Sequence, residues 1–235
     1  MYRTRQIRIR KGHRLYGYFR KQCMNSQNLY NRANYLIRQY ATGKRDLENG
    51  RSIEELKENQ REVLELIDQV TKGTKYEPKG RWLGYECLDY VLKKTKDEAY
   101  TSLPSQSNQQ ILKRVLRDYR SFFEVLKVYE ENRTVLTGRP KLPKYRKGNR
   151  GITAVFTNQI CKIQERKYLK FPFTKNRINI GDIGKAYSDR NGNSGETVRL
   201  KEVRIKPAAD GYIVEVVLEL PGMDTESLKK KNPLF

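Results

Sequence analysis

Lysine and arginine are concentrated in two stretches of the chain. The first 45 residues contain twelve of them and no Asp or Glu, and residues 132–180 contain thirteen against a single acid, Glu165. Because closely spaced positive charges repel one another, such stretches favour a partner with closely spaced negative charges, and the nucleic-acid backbone is the commonest such partner. The net charge of +22 over 235 residues therefore predicts a protein that binds nucleic acid.

Three kinds of side chain in these stretches and near them can contact nucleic acid. Arg and Lys bind phosphate, Tyr and Phe stack on unpaired bases, and the Gln amide reads base edges. The candidate nucleic-acid-binding residues are Arg8, Arg10, Gln106, Gln109, Gln110, Lys113, Arg117, Arg120, Arg139, Lys141, Lys144, Tyr145, Arg146 and Lys147. Asn108, Phe156 and Tyr168 are further candidates, with the alternative that aromatic residues in strands belong to the core and polar helix starts serve as caps.

The sequence offers few residues for catalysis or metal binding. His13 is the only histidine, and Cys23, Cys87 and Cys161 lie far apart without paired spacing. No phosphate-binding glycine loop or nucleophile motif is present, and the acids follow the outer faces of predicted helices. We therefore predict no catalytic residue, no metal ligand and no cofactor in this chain, and three buried, reduced thiols.

The apolar segments are too short for a bilayer-spanning helix, which requires roughly 18 uninterrupted apolar residues. The chain begins Met1-Tyr2-Arg3 and has no apolar signal segment behind this start. These features predict a cytoplasmic protein with no membrane partner.

Hydrophobic periodicity predicts a strand followed by several helices in the first 131 residues. Ile7 and Ile9 alternate with Arg8 and Arg10, which is typical of a half-buried strand. The predicted elements are a strand over 2–10, a long helix from 12 to about 43, an acidic helix over 53–70, a helix that follows Trp82 and ends near Tyr100, and a helix beginning at 103–105. The last of these carries Lys113, Arg117 and Arg120 in one exposed row.

The remainder of the chain has the pattern of a β part. Two prolines in the basic tract 138–145 exclude regular helix and indicate a boundary. Short segments rich in β-branched and aromatic residues predict strands over 152–156, 168–173, 198–206 and 212–220, the last two joined as a hairpin. We expect a small barrel or curled sheet completed by the N-terminal strand, with a flexible loop over 187–196.

Several segments, taken in their order, resemble a known family. They are NLYN (28–31), YLIRQ (35–39), LPSQ (103–106), QQIL (109–112), YRSFF (119–123), GRPKLPKY (138–145) and FTN (156–158). No single segment is highly specific, but their order resembles that of the TnpB (OrfB) family of transposon-encoded, RNA-guided DNA endonucleases, relatives of the type V CRISPR effectors. The resemblance covers almost the whole chain and the first half of the family's proteins.

The resemblance implies a fold of class α+β, in which an OB-like β-barrel, the wedge domain, carries an inserted helical bundle, the recognition lobe. The implied domains are 1–12 (first wedge strand), 13–131 (recognition lobe), 132–222 (wedge barrel) and 223–235 (a linker or tail). It also implies that the partners are a guide RNA derived from a transposon end and a target DNA, recognised through shape and phosphate. Gln106, Gln109 and Gln110 would lie near the target-adjacent duplex, and Arg8, Arg10, Lys144, Arg146 and Lys147 would contact the RNA backbone.

The family's proteins continue into a RuvC nuclease domain and a four-cysteine zinc finger, whereas this chain ends at Phe235. Mg²⁺ and Zn²⁺ would therefore belong to the absent half, and Asp224 and Glu226 are not assigned as catalysts. Three functions stay open: an RNA-guided binding protein without its own nuclease, the front half of an endonuclease completed by a separate RuvC polypeptide, and a free-standing basic RNA-binding protein. The first, in the prokaryotic cytosol and associated with the nucleoid, is favoured.

Overall fold

The computed structural model describes residues 2–183 and 198–220, and these residues combine α-helices with antiparallel strands. They divide into two compact units. The sheet unit contains residues 2–23 and 152–183 together with 198–220, and the helical unit contains residues 24–151. The predicted mixture of helices and strands is confirmed at this level.

The sheet unit contains seven strands in two antiparallel sheets. The strands are β1 (Tyr2–Arg10), β2 (Ala154–Thr157), β3 (Lys162–Gln164), β4 (Tyr168–Lys170), β5 (Arg177–Asn179), β6 (Arg199–Ala208) and β7 (Gly211–Glu219). One sheet has the order β1-β7-β6-β2 and the other the order β3-β4-β5. Over the described residues the strands form these two separate sheets and no closed barrel.

One apolar core joins the two sheets of this unit. It contains Val203 and Val214 from the larger sheet and Leu169 and Ile178 from the smaller one, all almost fully buried. Phe156 of β2 is also completely buried in this core. It cannot stack on a base, and the alternative that it belongs to the core is correct.

The strand predictions succeed where the alternation of apolar and polar residues extends over many residues. β1 has the predicted bounds, with Ile9 buried and Arg8 and Arg10 exposed, and β6 and β7 form the predicted hairpin. The strands β3 and β5 were not predicted, because each has three residues with a single apolar side chain at its centre. The predicted loop over 187–196 lies outside the described residues.

The helical elements are α1 (Tyr16–Glu48), α2 (Glu58–Thr71), α3 (Tyr85–Lys94), α4 (Glu98–Thr101) and α5 (Ser105–Glu131). The division between the two units falls within α1, after Cys23. Pro104 precedes α5 at its N-cap position, as the sequence indicated. The helix predicted to end near Tyr100 is instead two helices, α3 and α4, because Lys96 adopts a φ of +51° between them.

The prediction that α1 ends near Gly43 is wrong, since the helix continues to Glu48. Gly43 serves the packing between α1 and α2. A Cβ atom at this position would lie 2.9 Å from Leu64 Cδ1, so the absence of a side chain allows the two helices to approach closely. The start of α2 was also predicted five residues too early, because the Lys57 N–H is capped by Gln60 Oε1 at 3.0 Å.

Asp46, in the last turn of α1, is a buried carboxylate. Its oxygens accept a hydrogen bond from Gln60 Nε2 at 3.1 Å and lie 3.1 Å from Arg45 Nη2 and 3.5 Å from Arg51 Nη1. The hydrogen bond from Gln60, followed by the two arginines, lowers the pKa of Asp46 against the opposing effect of burial.

The lowered pKa of Asp46 predicts a specific acid sensitivity. Because its folded-state pKa lies below the reference value of 3.8, the ionised carboxylate contributes stability above that pH and loses it as the pH falls through the folded-state pKa. We expect the free energy of unfolding to fall more steeply between about pH 5 and pH 2.5 in the wild type than in Asp46→Asn. Urea denaturation across this range measures the difference, with Asp68→Asn on α2 as the control. Parallel curves would contradict the assignment.

The two units do not divide where the sequence predicted domain boundaries, after residues 12 and 131. They divide after Cys23 and before Ile152. The first difference arises because Leu15, just before α1, and Phe19 and Cys23, on its first turns, belong to the core of the sheet unit. The second arises because the basic tract after α5 is hydrogen-bonded to α1 within the helical unit.

The three cysteines match their prediction. Cys23, Cys87 and Cys161 are free and buried, and burial raises the pKa of the Cys23 thiol to about 12 and that of Cys87 to about 11. Throughout residues 2–183 and 198–220, no helix combines the length and the apolar character needed to cross a bilayer.

Candidate nucleic-acid interface

An extended segment after α5 is docked against α1 in the helical unit. This docked segment, residues 141–148, has no regular secondary structure, and its backbone carbonyls accept hydrogen bonds from α1 side chains. The hydrogen bonds run from Arg38 Nη2 to Pro143 O (2.5 Å) and Leu142 O (3.3 Å), from Asn34 Nδ2 to Pro143 O (3.1 Å), from Asn31 Nδ2 to Arg146 O (2.9 Å) and from Gln27 Nε2 to Gly148 O (3.1 Å). The Arg146 N–H also donates to Asn31 Oδ1 at 2.7 Å.

The four α1 side chains that hold the docked segment were not assigned to the site from the sequence. Gln27, Asn31, Asn34 and Arg38 are separated by four, three and four residues, so they form one stripe on the helix. A polar stripe along an otherwise buried helix is the signal that identifies such residues, because buried amides require partners. Here their partners are the carbonyl groups of the docked segment.

The docked segment presents a lysine at every third position. Lys141, Lys144 and Lys147 are exposed, while Leu142, Pro143 and Arg146 between them are half-buried. Since an extended chain advances at most about 3.5 Å per residue, neighbouring lysines are roughly 10 Å apart along it. Because α1 fixes the backbone, the three lysines project from defined points along the segment, and they are the strongest phosphate-binding candidates. Arg139, just before the segment, is also exposed.

Arg146 was predicted to contact the RNA backbone, but its charge is already compensated within the protein. Its Nη2 lies 2.6 Å from Asp118 Oδ2, and its guanidinium lies 4.8 Å from the centre of the Tyr30 ring. Tyr30 Oη donates a hydrogen bond to the same Asp118 oxygen at 2.6 Å. Burial, reinforced by Asp118, raises the pKa of Tyr30 to about 12, so this hydroxyl stays protonated at neutral pH. Arg146 thus links the docked segment to α1 and α5.

Tyr145 is placed between the exposed lysines. Its ring is 37% exposed, and the Arg38 guanidinium lies 5.2 Å from the ring centre. Burial of the rest of the side chain raises the pKa of Tyr145. The ring is thus held by a cation and still has a surface that a base can contact.

The α5 candidates share one face of that helix. Gln106, Gln110, Lys113, Arg117 and Arg120 follow the three- and four-residue spacing of a single stripe, and Gln109 lies at its edge. The three cations are exposed and the three glutamines are half-buried. Lys113 Nζ lies 5.7 Å from the ring centre of Tyr85, which fixes one end of the row.

Asn108 does not belong to this α5 face. It is buried, and its Nδ2 donates to Tyr100 O at 2.7 Å and to Leu103 O at 3.4 Å. The alternative that this amide serves the start of the helix is therefore correct, and Asn108 is not available to read a base.

Arg8 and Arg10 are exposed on β1, in the sheet unit, which also contains Phe156 and Tyr168, whereas the other twelve residues of the main candidate set belong to the helical unit. Both arginines lie near a single acid at the β6–β7 turn, with Asp210 Oδ2 at 3.7 Å from Arg8 Nη1 and 3.5 Å from Arg10 Nε. One carboxylate shared by two exposed guanidinium groups leaves a net positive charge at this end of the strand, and exposed pairs of this kind are weak.

Within the described ranges, no group of three or more His, Cys, Asp or Glu residues is arranged to hold a metal ion. Comparison of the sequence with protein-family models finds no match, and a search of curated proteins finds none either. The arrangement of side chains in this chain is therefore the basis for a functional proposal.

Proposed function

We propose that this protein binds RNA and DNA as the guide-RNA- and target-DNA-binding part of a TnpB-like, transposon-associated RNA-guided system. The observation that carries the proposal is the docked segment. Its three exposed lysines are held on a backbone fixed by α1, and they belong to a chain with a net charge of +22. A backbone that is already fixed loses no further conformational freedom when its lysines bind phosphates, so the arrangement favours recognition of nucleic-acid shape.

The order of the units along the chain supports the finer part of the proposal. The sheet unit is formed from residues 2–23 and from residues after 151, with the helical unit between them in sequence. The resemblance implies the same order for a wedge domain and an inserted recognition lobe. In this proposal the sheet unit is the OB-like wedge domain, and the helical unit is the lobe.

Within this proposal the face of α5 lies toward the target-adjacent duplex. The Gln109 and Gln110 amides suit adenine edges, and Arg117 and Arg120 suit the neighbouring phosphates. The proposed location is the prokaryotic cytosol, with the guide RNA transcribed from a transposon end. The proposal assigns no catalytic residue or cofactor to these 235 residues, and DNA cleavage would require a RuvC-containing polypeptide.

RNA capture from the native cells tests the proposal. The tagged full chain is isolated at stringent salt, and the bound RNA is sequenced. We expect one dominant RNA that maps to a transposon end, because a guided protein holds a defined scaffold. A diffuse or ribosomal RNA profile would contradict the guided function and would favour a free-standing basic RNA-binding protein.

A further inference from the structure

The outer face of the three-stranded sheet, formed by β3, β4 and β5, presents side chains that the function proposed above does not assign to nucleic-acid binding. Lys162 of β3 lies directly opposite Lys170 of β4, which lies directly opposite Arg177 of β5. In the same way Tyr168 lies opposite Gln164 on one side and Asn179 on the other. The alternate residues of the three strands, Ile163, Leu169 and Ile178, pack toward the core.

The outer sheet face therefore carries two rows of side chains across the strands. One row contains the cations Lys162, Lys170 and Arg177, and the other contains the Tyr168 ring between the amides of Gln164 and Asn179. Adjacent strands lie about 4.8 Å apart, so three positive charges are aligned within roughly 10 Å. Like charges directly opposite one another destabilise a sheet. Glu165 pairs with Arg177 at 2.9 Å, while Arg14 Nη2 donates to Arg177 O at 2.6 Å and adds another exposed guanidinium. The face thus carries an excess of positive charge that an anionic ligand would relieve.

Two aromatic side chains accompany these cations. The Tyr168 ring has Arg177 Cζ at 4.6 Å and Lys167 Nζ at 5.1 Å from its centre. Phe173, in the turn between β4 and β5, is 74% exposed and has a φ of +58°. A bulky residue rarely adopts this left-handed conformation, and such strained positions cluster at ligand-binding sites.

We infer that this sheet face is a second binding surface, which takes unpaired nucleotides of a single-stranded nucleic acid. Tyr168 and Phe173 stack on bases, Lys162 and Lys170 contact phosphates, and the amides of Gln164 and Asn179 reach base edges, while Arg177 stays paired with Glu165 and supports the Tyr168 ring. The inference deepens the proposed function, on which it rests, by naming the kind of nucleic acid that the sheet unit holds. This sheet face differs from the docked segment, whose lysines can contact the phosphate backbone of any base-paired nucleic acid.

The test measures binding of the full chain to fluorescein-labelled U12, dT12 and a 20-base-pair duplex by anisotropy. We expect Tyr168→Ala/Phe173→Ala to bind the single strands about 10–100-fold more weakly, because each stacked base contributes substantially to affinity. Binding of the duplex should be unchanged. The matched control is Tyr2→Ala, since Tyr2 is also an exposed strand tyrosine with a lysine, Lys201, 5.9 Å from its ring.

Two further variants keep the test decisive if the double variant fails to fold. Phe173→Ala changes only an exposed turn side chain, and it should still weaken single-strand binding. Lys162→Gln/Lys170→Gln should lower the slope of log K against log salt by about 1.4 while raising Tm, because repulsion within the row is removed.

The outcomes separate this inference from the proposed function. Weaker binding of either single strand by the aromatic variants supports the inference, and a larger loss on U12 than on dT12 assigns the strand to RNA. Unchanged single-strand binding in both Tyr168→Ala/Phe173→Ala and Phe173→Ala would overturn the inference, and a dominant captured RNA would then still support the proposed function. Equal losses in the Tyr2→Ala control would also overturn it, since the effect would not be specific to this face.

Discussion

Neutralising the three lysines of the docked segment should weaken binding of structured RNA about 100-fold near 0.15 M salt. The change is Lys141→Gln/Lys144→Gln/Lys147→Gln, which removes three exposed charges while all backbone hydrogen bonds to α1 remain possible. Each phosphate contact contributes about 0.7–0.9 to the slope of log K against log salt, so the slope should fall by about 2–3. Titrations at several salt concentrations measure both quantities.

A matched control exists in the same helical unit. Lys72, Lys75 and Lys79 are also exposed and closely spaced, in the connection that follows α2. Their replacement by Gln removes the same net charge without touching the docked segment, and we expect a slope close to that of the wild type. If both triple variants changed the slope equally, the effect would come from net charge alone, and the docked segment would not be a binding site.

Replacing Asn34 by leucine should lower the free energy of unfolding by about 2–4 kcal/mol. Asn34 is completely buried, accepts a hydrogen bond from Tyr119 Oη at 2.7 Å and donates to Pro143 O at 3.1 Å. Leucine keeps a similar volume but removes the acceptor of the buried Tyr119 hydroxyl and one donor to Pro143 O, which keeps Arg38 Nη2 as its other donor. Taking the partner from a buried polar group is costlier than the loss of a typical hydrogen bond. Urea denaturation gives the value, with the m-value as a check on two-state behaviour.

The double variant Asn34→Leu/Tyr119→Phe separates the two contributions. It removes the hydroxyl whose acceptor Asn34→Leu takes away, so we expect it to recover part of the lost stability relative to Asn34→Leu alone. A loss below about 0.5 kcal/mol in Asn34→Leu, typical of a surface substitution, would show that the docked segment is not held by this amide.

Much of the fold follows from local patterns in the sequence. The alternation in β1, the apolar spacing of α1 and the Asp210-Gly211 turn predict elements close to those observed, because one face of each element is buried. Gly43 shows where local reasoning fails. A glycine ends a helix when the chain needs a left-handed residue, yet here it allows close approach of Leu64, and this contact depends on how distant residues pack.

The sequence predicts which residues of the candidate site are charged, but it does not predict which side chains of the protein those residues contact. Lys141, Lys144 and Lys147 are exposed as a basic, proline-containing tract predicts. Arg146 belongs to the same tract and is engaged by Asp118, a residue 28 positions earlier on another element. The sequence pattern does not distinguish Arg146 from the three lysines, because the ion pair between Arg146 and Asp118 forms only when α1 and α5 pack together. The same holds for the outer sheet face, whose two rows exist only through the register of β3, β4 and β5.

The pairing of β1 with β7 has a consequence for the time course of folding. The two strands pair along nine residues, from Tyr2 opposite Glu219 to Arg10 opposite Gly211. At a synthesis rate of about 5–20 residues per second, β1 leaves the ribosome roughly 10–40 s before its partner exists. The helical unit, residues 24–151, is synthesised completely before β7 and can form during that interval. Because charged side chains on an unpaired strand edge oppose edge-to-edge pairing, we expect the arginines of β1 to reduce association of the nascent chain before β7 is synthesised.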